Sequence, residues 1–468
     1  MYASEEIPPT WLKISLGDVV NYGSALKAEP IEIADDTWVL ELEDIEKNSS
    51  RVLQKVRFSE RQSKSTKNKF EAGDVLYGKL RPYLNKVVYA DEAGVCTTEI
   101  VPIKGNQAIN SKYLFYWLKH PVFINYVTEV SHGVNMPRLG TDAGKQAPLV
   151  LAPLGEQRRI ADKLDTTLAR VDALNDRLAR ITPLLKRFRQ SVLAAATSGR
   201  LTEDWRGTSS IESWQAKKLI EVCESISDGD HQAPPQSLEG IPFITISAIN
   251  NGFLDIKKAT RNVPESYYEA LDDKRKAKIG DVLFSVTGSI SIPALVNDNL
   301  KFAFQRHIAI LRPKIDLISS KFLYFLLGSE SIKKQANSVA TGTAQLTIPL
   351  KGLRIFHISL PTLEEQTEIV RRVETLFAFA DRLEARLQSA QTAAERLTPA
   401  LLAKAFRGEL VPQDPNDEPA TELLRRLRAA RVAQTPPKPK RGRKAAATES
   451  ALQNSKTRTS IGFALFPS

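Results

Sequence analysis

Basic and aromatic side chains alternate between Arg51 and Ala90. This stretch holds ten lysines and arginines against three acidic residues. The basic residues are Arg51, Lys55, Arg57, Arg61, Lys64, Lys67, Lys69, Lys79, Arg81 and Lys86, with Phe58, Tyr77, Tyr83 and Tyr89 among them. Contacts with phosphate groups require such a local excess of positive charge. The stretch favours nucleic-acid binding, although a solvated charged face explains the same composition.

The motifs that would build a catalytic centre are missing from the sequence. There is no G-x-x-x-x-G-K-[ST] phosphate loop, no Gly-x-Ser-x-Gly nucleophile turn and no Asn/Asp-Pro-Pro-aromatic signature of adenine methyltransferases. None of the five histidines pairs at a spacing that would bind a metal. We therefore expect a chain that is not an enzyme and holds no metal or cofactor. An enzyme with an unfamiliar active site is an alternative.

The sequence repeats itself once, at a spacing near 209 residues. Matching positions are Gln157 and Gln366, Gly133 and Gly342, Gly199 and Gly408, Gly73–Leu76 and Gly280–Leu283, and Trp11–Leu16 and Trp214–Leu219. This spacing far exceeds the period of roughly 20 to 50 residues in solenoid repeats. The repeat therefore indicates a duplicated domain, for which we expect pseudo-two-fold symmetry. Two similar domains suit a target with two parts.

The two copies differ most in their loops. After the shared Gly-Asp-Val-Leu strand, the first copy continues as Tyr77–Lys86 and the second as Phe284–Ser291. A second divergent pair is Ser131–Arg138 and Thr341–Gln345. Arginine and asparagine pair bidentately with guanine and adenine, whereas serine and threonine are more permissive. Divergent loops on one framework would recognise different ligands, although surface drift after duplication gives the same pattern. The DNA-binding candidates are Lys67, Lys69, Lys79, Arg81, Asn85, Lys86, His132, Asn135, Arg138, Thr287, Ser289, Ser291 and Gln345.

Each copy has a mixed first part followed by a long helix. Val87–Ala90, Ile244–Ile246 and His307–Leu311 are predicted strands, and Ser111–Lys119 and Ser319–Leu327 are predicted short helices. In the long helices, apolar residues recur every three or four positions from Ile160 to Val192 and from Ile369 to Leu401. This spacing is typical of a coiled-coil seam. We expect α+β domains and two antiparallel helices that end at Gly199 and Gly408.

Two questions about the helices remain open at this level. Thr182-Pro183 and Thr398-Pro399 would allow each helix to fold back as two shorter ones. Extra apolar residues, namely Leu184, Leu193, Phe377, Phe379 and Phe406, widen the seam. Either further helices dock there or the mixed domains cover them. The predicted docking positions are Leu164, Val171, Leu178, Leu185, Phe188, Val192, Val373, Phe377, Leu383, Leu387 and Phe406.

Composition bounds the class of protein. The chain has 468 residues, 42% of them hydrophobic, and no apolar run of the length that spans a membrane. The N-terminal residues do not resemble a signal peptide, and only two cysteines are present, so we expect a cytoplasmic protein without disulfides. The net charge is +11, but residues 413–468 carry 11 basic and 5 acidic residues. The tail therefore holds about half of the excess, and bulk charge is weak evidence for nucleic acid.

The order of these parts resembles a known family. A variable part, a Pro-x-x-Glu-Gln-x-x-Ile helix, a second variable part and a similar helix are the arrangement of the specificity subunit of type I restriction–modification systems. The helices Leu185–Ala194, Glu365–Glu374 and Leu402–Leu410 resemble those of that family. Asp228–His231 and Gln305–Ile308 also resemble its second variable part, which adds His231, Arg306 and His307 to the DNA-binding candidates.

The resemblance implies a mechanism. Each variable part would be a target recognition domain for one half of a bipartite, asymmetric double-stranded DNA site. The helices would fix the gap between the halves and dock two methyltransferase subunits, which carry S-adenosylmethionine. Two motor/endonuclease subunits would complete the complex. This chain would supply specificity without catalysis.

The resulting domain boundaries are 1–152 and 206–360 for the recognition domains, 153–205 and 361–412 for the helices, and 413–468 for a linker, a short helix at Thr421–Val432 and a disordered basic tail. The basic run Pro436–Lys444 fits a solubilising tail or non-specific DNA attachment equally well. The alternative function is a coiled-coil adaptor that joins two peptide-binding domains.

Overall fold

A computed structural model describes residues 6–207, 214–229, 234–250, 252–343 and 345–434. The chain divides into a first unit, Met1–Lys163 with Leu402–Ser468, and a second unit, Leu164–Leu401. His231, the basic run Pro436–Lys444 and the rest of the predicted tail lie outside the described residues. In the part of the chain that is described, no helix has the length and apolar character needed to cross a membrane.

The first unit mixes short strands with short helices. Its strands are β1 (Leu12–Ser15), β2 (Lys27–Ala28), β3 (Trp38–Leu40), β4 (Val56–Arg57), β5 (Lys67–Phe70), β6 (Val75–Gly78), β7 (Val87–Tyr89), β8 (Gly94–Cys96), β9 (Ile100–Ile103) and β10 (Pro148–Leu151). Its helices are α1 (Leu16–Val19), α2 (Phe58–Arg61), α3 (Ser111–Trp117), α4 (Pro121–Val130) and α5 (Thr141–Gln146). The sheets have the orders β1-β10, β2-β5-β8-β3-β4 and β7-β6-β9. Most contacts between strands therefore join distant parts of the chain.

Helix α6 (Leu154–Thr197) starts in the first unit and continues for 44 residues. It runs through Pro183, whose ring nitrogen cannot donate the usual helical hydrogen bond. Gly199 follows with φ +74°, a left-handed conformation that ends a helix at little cost for glycine. The short helix α7 (Glu203–Arg206) comes next.

The second unit repeats the mixed architecture. Its strands are β11 (Gln215–Lys218), β12 (Cys223–Asp228), β13 (Ile241–Ile244), β14 (Arg261–Val263), β15 (Val282–Ser285), β16 (Pro293–Leu295), β17 (Ala303–Phe304), β18 (Ile308–Pro313) and β19 (His357–Leu360). Its helices are α8 (Glu265–Ala270), α9 (Ser320–Leu327), α10 (Glu330–Val339), α11 (Leu350–Arg354) and α12 (Leu363–Glu395). The sheets have the orders β11-β19, β12-β18-β15-β16 and β14-β13-β17. The antiparallel pair β11-β19 repeats the pair β1-β10, because each joins the start of a mixed part to the strand before a long helix.

The predicted antiparallel helix pair is confirmed. Leu185 packs with Ala380 and Leu387 in one buried cluster. Arg189 donates to Glu384 at 2.9 Å, while the later Leu201 carbonyl accepts from the earlier Arg372 at 2.8 Å. Later residues of α6, and Leu201 in the turn after it, thus meet earlier residues of α12, which is the antiparallel arrangement. The fold-back alternative is wrong for α6.

The second long helix is interrupted once. Helix α12 ends at Glu395 and α13 (Leu397–Phe406) follows after Arg396. Pro399 lies in the first turn of α13, where its missing N–H costs least. The second long helix is therefore interrupted only briefly near this proline, and Gly408, which follows α13, has φ +77°.

Helix α14 (Ala420–Gln434) belongs to the first unit and covers the range Thr421–Val432, where a short helix is predicted. The Ala420 amide donates to the Thr10 carbonyl at 3.0 Å, and Arg428 forms an ion pair with Asp18 at 3.2 Å. The segment after α13 therefore packs on the beginning of the chain.

Buried side chains of the Glu-Gln motif fasten the first unit. Trp11 donates its indole N–H to Glu156 at 2.8 Å. Gln157 accepts the Asn110 amide at 2.8 Å and donates to the carbonyls of Ala108 and Ala152 at 3.0 and 2.8 Å. The motif therefore joins the start of α6 to β1 and to the N-terminus of α3.

The second unit repeats these contacts. Trp214 donates to Glu365 at 2.9 Å. Gln366 accepts the Ser319 amide at 2.8 Å and donates to the carbonyls of Leu317 and Pro361 at 2.9 and 3.0 Å. The repeated sequence motif is therefore a structural fastener in both units.

Candidate nucleic-acid interface

In the first unit, three segments meet beyond the end of β6. We call residues 79–85, 97–99 and 132–138 the first platform. The Lys79 amide donates to the Glu99 carbonyl at 2.9 Å, and the Leu139 amide donates to the Lys79 carbonyl at 2.9 Å. The Arg81 amide donates to the Pro137 carbonyl at 2.7 Å. Backbone hydrogen bonds therefore hold two divergent loops side by side.

The first platform presents a mixture of cationic, amide and apolar side chains. Arg81 has φ +50°, and its guanidinium reaches the Asn135 carbonyl at 3.4 Å. Arg138 pairs with His132 through reciprocal backbone hydrogen bonds and forms an ion pair with Glu99 at 3.1 Å. Exposed side chains are Arg81, Tyr83, His132, Val134, Asn135, Met136 and Arg138.

The second platform consists of residues 286–291, 305–307 and 341–347, of which 344 is not described. The Val286 amide donates to the His307 carbonyl at 2.9 Å, and the Ile348 amide donates to the Val286 carbonyl at 2.7 Å. The Gly288 amide donates to the Leu346 carbonyl at 2.9 Å. These bonds match those of the first platform one for one.

The second platform borders a cleft of about 510 Å³. Polar residues on its walls are Asp228, Thr287, Arg306, His307, Gln345 and Thr347. Burial lowers the pKa of His307, and the positive charge of Arg306 lowers it further. A neutral imidazole here can both donate and accept a hydrogen bond. The walls therefore offer neutral donors and acceptors beside one acidic and one basic side chain.

The matching hydrogen bonds establish which positions correspond. Leu80 bridges Arg138 as Thr287 bridges Thr347, and Glu99 occupies the place of His307. Asn85 and Ser291 close their loops with φ +45° and +66°. Both are buried, and each has a side-chain oxygen without a hydrogen-bond partner in the described part of the chain. The two platforms thus have one backbone and different side chains.

The structure brings together most of the DNA-binding candidates. Lys79, Arg81, Asn85, His132, Asn135 and Arg138 lie on the first platform, and Thr287, Ser289, Ser291, Arg306, His307 and Gln345 lie on the second. Asn85, Thr287 and Ser291 are buried, so they are placed to shape the loops more than to meet a ligand.

Three lysines predicted to bind DNA lie elsewhere or are occupied. Lys67 is 2% exposed, and its ammonium donates to Glu41 at 2.6 Å. Lys86 donates to the Leu42 carbonyl at 2.7 Å, and burial lowers its pKa. Lys69 is exposed on β5. We therefore leave Lys67 and Lys86 out of the proposed interface, because their positive charges already have partners.

Sequence reasoning missed Glu99. The residue stands two positions after Thr97 in a segment without a motif. Its place became visible only through the Lys79–Glu99 hydrogen bond and the ion pair with Arg138. Aligning the segment before β9 with that before β18 would have been the only available signal.

A family model for the type I restriction modification DNA specificity domain matches residues 8–182 and again residues 211–390. The chain belongs to this family. Each match contains one platform, so the specificity domain occurs twice, as the internal repeat predicts.

Relatives among well-described proteins agree with this assignment. The chain is 31% identical to the type I restriction enzyme EcoBI specificity subunit of Escherichia coli, over 75% of this chain and 78% of that protein. It is 31% identical to the EcoKI specificity subunit of Escherichia coli strain K12, over 71% and 74%. It is 33% identical to the StySPI specificity subunit of Salmonella potsdam, over 70% and 74%.

Solved structures share the fold. A chain from a study of complex assembly and conformational transition in the type I R-M system has a TM-score of 0.67 at 23% identity, covering 86% of this chain and 99% of that one. The HsdS subunit from Thermoanaerobacter tengcongensis has a TM-score of 0.57 at 22% identity, covering 87% and 99%. At these identities the likeness concerns the fold of the specificity family.

The helix positions predicted to dock a partner are largely covered within the chain. Leu178, Leu185, Phe188, Leu383 and Leu387 pack between the two helices. Leu164, Val171, Val192 and Val373 are buried, and Phe377 contacts Phe325 edge-on at 5.7 Å between ring centroids. The fully buried members of this set cannot meet a partner directly, and the half-buried members already pack against other side chains of the chain.

Phe406 is likewise covered. Its ring packs edge-on against Trp117 at 4.9 Å and against Tyr113 at 5.1 Å between centroids. By contrast, Leu184 is 56% exposed on α6 and Phe379 is 49% exposed on α12. Of the residues that widen the seam, Phe406 is thus covered by the first unit, whereas Leu184 and Phe379 are exposed to solvent.

Proposed function

We propose that this chain is the DNA sequence-specificity subunit of a type I restriction–modification complex. Each platform would contact one half of a bipartite, asymmetric DNA site in the major groove. The observation that carries this proposal is the pair of matching backbones with different side chains. One mode of approach can then serve two base sequences, because base edges differ in their donors and acceptors.

The first platform suits purine recognition. Arg81 and Arg138 supply the forked donors that pair with guanine, and Asn135 supplies the amide that pairs with adenine. The second platform offers Ser289, Gln345 and Arg306, of which glutamine also suits adenine. The two half-sites would therefore differ in sequence.

The recognition domains would span residues 1–152 and 206–360, with the helices 153–205 and 361–412 as a spacer and 413–468 as a C-terminal extension. A helix of 44 residues is about 66 Å long, while one turn of DNA is about 34 Å. Two packed helices resist bending, so they would keep the unread gap constant.

The partners would be two methyltransferase subunits and two motor/endonuclease subunits. Methylation of adenine N6 would take place in the methyltransferase subunits, which would bind S-adenosylmethionine. This chain would contribute specificity and no catalysis. Its own cysteines are poor nucleophiles, because burial raises the pKa of the Cys223 thiol to about 12 and also raises that of Cys96.

The test is a genome-wide map of N6-methyladenine in cells that express this chain with its methyltransferase subunit. We expect a split motif, with two short defined halves around a fixed gap, that is absent from cells lacking the chain. A complex that assembles but gives no chain-dependent methylation would contradict the proposal. Salt-dependent binding that prefers the mapped site over a shuffled duplex would exclude the adaptor alternative.

A further inference from the structure

We propose that Glu99 is a positioning residue that holds the guanidinium of Arg138 toward a guanine of the half-site bound by the first unit. This inference rests on the proposed function. It assigns a base to one platform and a role to a residue that does not itself contact DNA.

The geometry of the pair leaves the outer end of Arg138 free. Its Nε donates to both carboxylate oxygens of Glu99, at 3.2 and 3.1 Å. Among the described residues, neither terminal Nη nitrogen of Arg138 has a hydrogen-bond partner. A guanidinium fixed through Nε directs its two Nη groups away from the carboxylate, and this is the forked edge that can donate to O6 and N7 of guanine.

Exposure argues that the pair has a role other than stability. The side chain of Arg138 is 52% exposed and that of Glu99 is 27% exposed. Ion pairs this exposed contribute little to folding. A long side chain restrained before binding, however, loses less conformational freedom when it meets its ligand.

Charge argues against a phosphate as the target of Arg138. The carboxylate at 3.1 Å cancels much of the positive charge and would repel an approaching phosphate. A base edge carries no net charge, so the neutralised pair can approach it without that repulsion. A phosphate contact remains available to Lys79 on the same platform.

The second platform lacks the pair. His307 occupies the backbone place of Glu99, and Thr347 occupies that of Arg138. Any effect of Glu99 on base preference should therefore be confined to one half-site. This confinement separates a positioning role from a general effect on folding or on DNA affinity.

The experiment uses the complete methyltransferase complex and duplexes in which each base pair of the mapped site is replaced in turn. Variants are Glu99→Ala, Glu99→Gln, Arg138→Ala and the double variant Glu99→Ala with Arg138→Ala. The matched control is Glu71→Gln, which breaks an exposed ion pair with Lys104 at the opposite end of β6. A further duplex carries 7-deazaguanine, which lacks the N7 acceptor.

We expect Glu99→Ala to lower discrimination at one guanine of the first half-site by roughly tenfold. Arg138→Ala should abolish discrimination at the same guanine, and the double variant should equal it. Glu99→Gln should recover part of the loss, because its amide oxygen still accepts the Nε–H. The native complex should bind the 7-deazaguanine duplex more weakly than the unmodified one, whereas Arg138→Ala should bind both equally. The control Glu71→Gln should behave as the native chain does.

Other outcomes overturn the inference. A uniform loss of affinity for every duplex would assign Arg138 to a phosphate, and a change in the second half-site would exclude a local role. If the native complex has a split motif but Glu99→Ala discriminates as before, only this inference fails. If the native complex has no split motif, the proposed function fails with it.

Discussion

The two units share the same buried hydrogen bonds, but the side chains on their platforms differ. In both, a tryptophan immediately before the first strand donates to a glutamate at the start of a long helix, at 2.8 Å in one unit and 2.9 Å in the other. On the platforms, the matched positions carry Glu99 and Arg138 in one unit and His307 and Thr347 in the other. Buried hydrogen bonds tolerate little change because an unpaired buried group is costly, whereas an exposed side chain is free to vary.

The fasteners themselves are not identical. Glu365 accepts from Thr202 at 2.7 Å and pairs with the buried guanidinium of Arg206. Glu156 instead accepts from Gln413, a neutral amide that follows α13. The glutamate at the start of each long helix is thus bound by the segment that follows the other long helix. The partner is charged for Glu365 and neutral for Glu156.

The largest expected effect comes from removing Glu365, whose partner is charged, and is compared with removing Glu156, whose partner is neutral. Glu365→Ala should destabilise the second unit by about 3–5 kcal/mol, because Arg206 would remain buried without its carboxylate. Glu156→Ala should cost the first unit only about 1–3 kcal/mol, since it strands neutral donors. Chemical denaturation with amide exchange to localise the loss would measure both. Equal losses would mean that the charged partner adds nothing.

The caps of matched helices differ in their response to acid. His120 precedes α4 and accepts the Val122 amide at 3.3 Å, while Ser329 precedes α10 and accepts the Ile332 amide at 3.4 Å. Burial, with a smaller contribution from Arg407, lowers the pKa of His120 from 6.5 to about 4. Between these pH values the unfolded chain binds a proton that the folded chain does not, so stability falls as pH falls through this window.

The native chain should therefore lose about 3 kcal/mol of unfolding free energy between pH 6.5 and 4, and His120→Ser should abolish this loss. The variant will be less stable at neutral pH, because it leaves a space beside Trp117 and Phe406. The diagnostic quantity is the slope of unfolding free energy against pH, compared with the native chain. An unchanged slope would show that His120 titrates normally.

Paired variants can test the contributions of the two platforms separately. Arg81→Ala should weaken discrimination in the first half-site by about 1–3 kcal/mol and leave the second unaffected, because its guanidinium lies only on the first platform. Gln345→Ala should do the reverse. Binding to duplexes altered in one half at a time measures both. A change in both halves from either variant would contradict the division of labour.

The smallest effect on the chain itself concerns the exposed helix residues. Leu184→Ser and Phe379→Ser should change the unfolding free energy by no more than about 0.5 kcal/mol, because solvent already reaches both side chains. If these residues dock the methyltransferase subunits, co-purification should fall. Leu185→Ser is the matched control, since its burial between the helices predicts a loss of stability. Normal assembly by both exposed variants would place docking elsewhere.

Sequence alone determined the duplication, the two long helices and the loops that differ. Periodicity predicted α6 and α12 because an apolar stripe must be buried, and left-handed turns at Gly199 and Gly408 follow from the conformations that glycine permits. The Glu-Gln motif marks the start of both long helices. Its hydrogen-bond partners, a tryptophan and the backbone at the start of a short helix, are known only from the structure.

Only the tertiary structure decided which charges are free. Lys67 and Arg138 look alike in sequence, yet one is buried against Glu41 and the other projects from a platform. Phe406 and Phe379 both suggested a docking surface, yet the first unit covers one of them and solvent reaches the other. The physical reason is that a long-range partner, such as Glu99 for Arg138, is set by strand pairing between distant segments. Local spacing carries no record of that pairing.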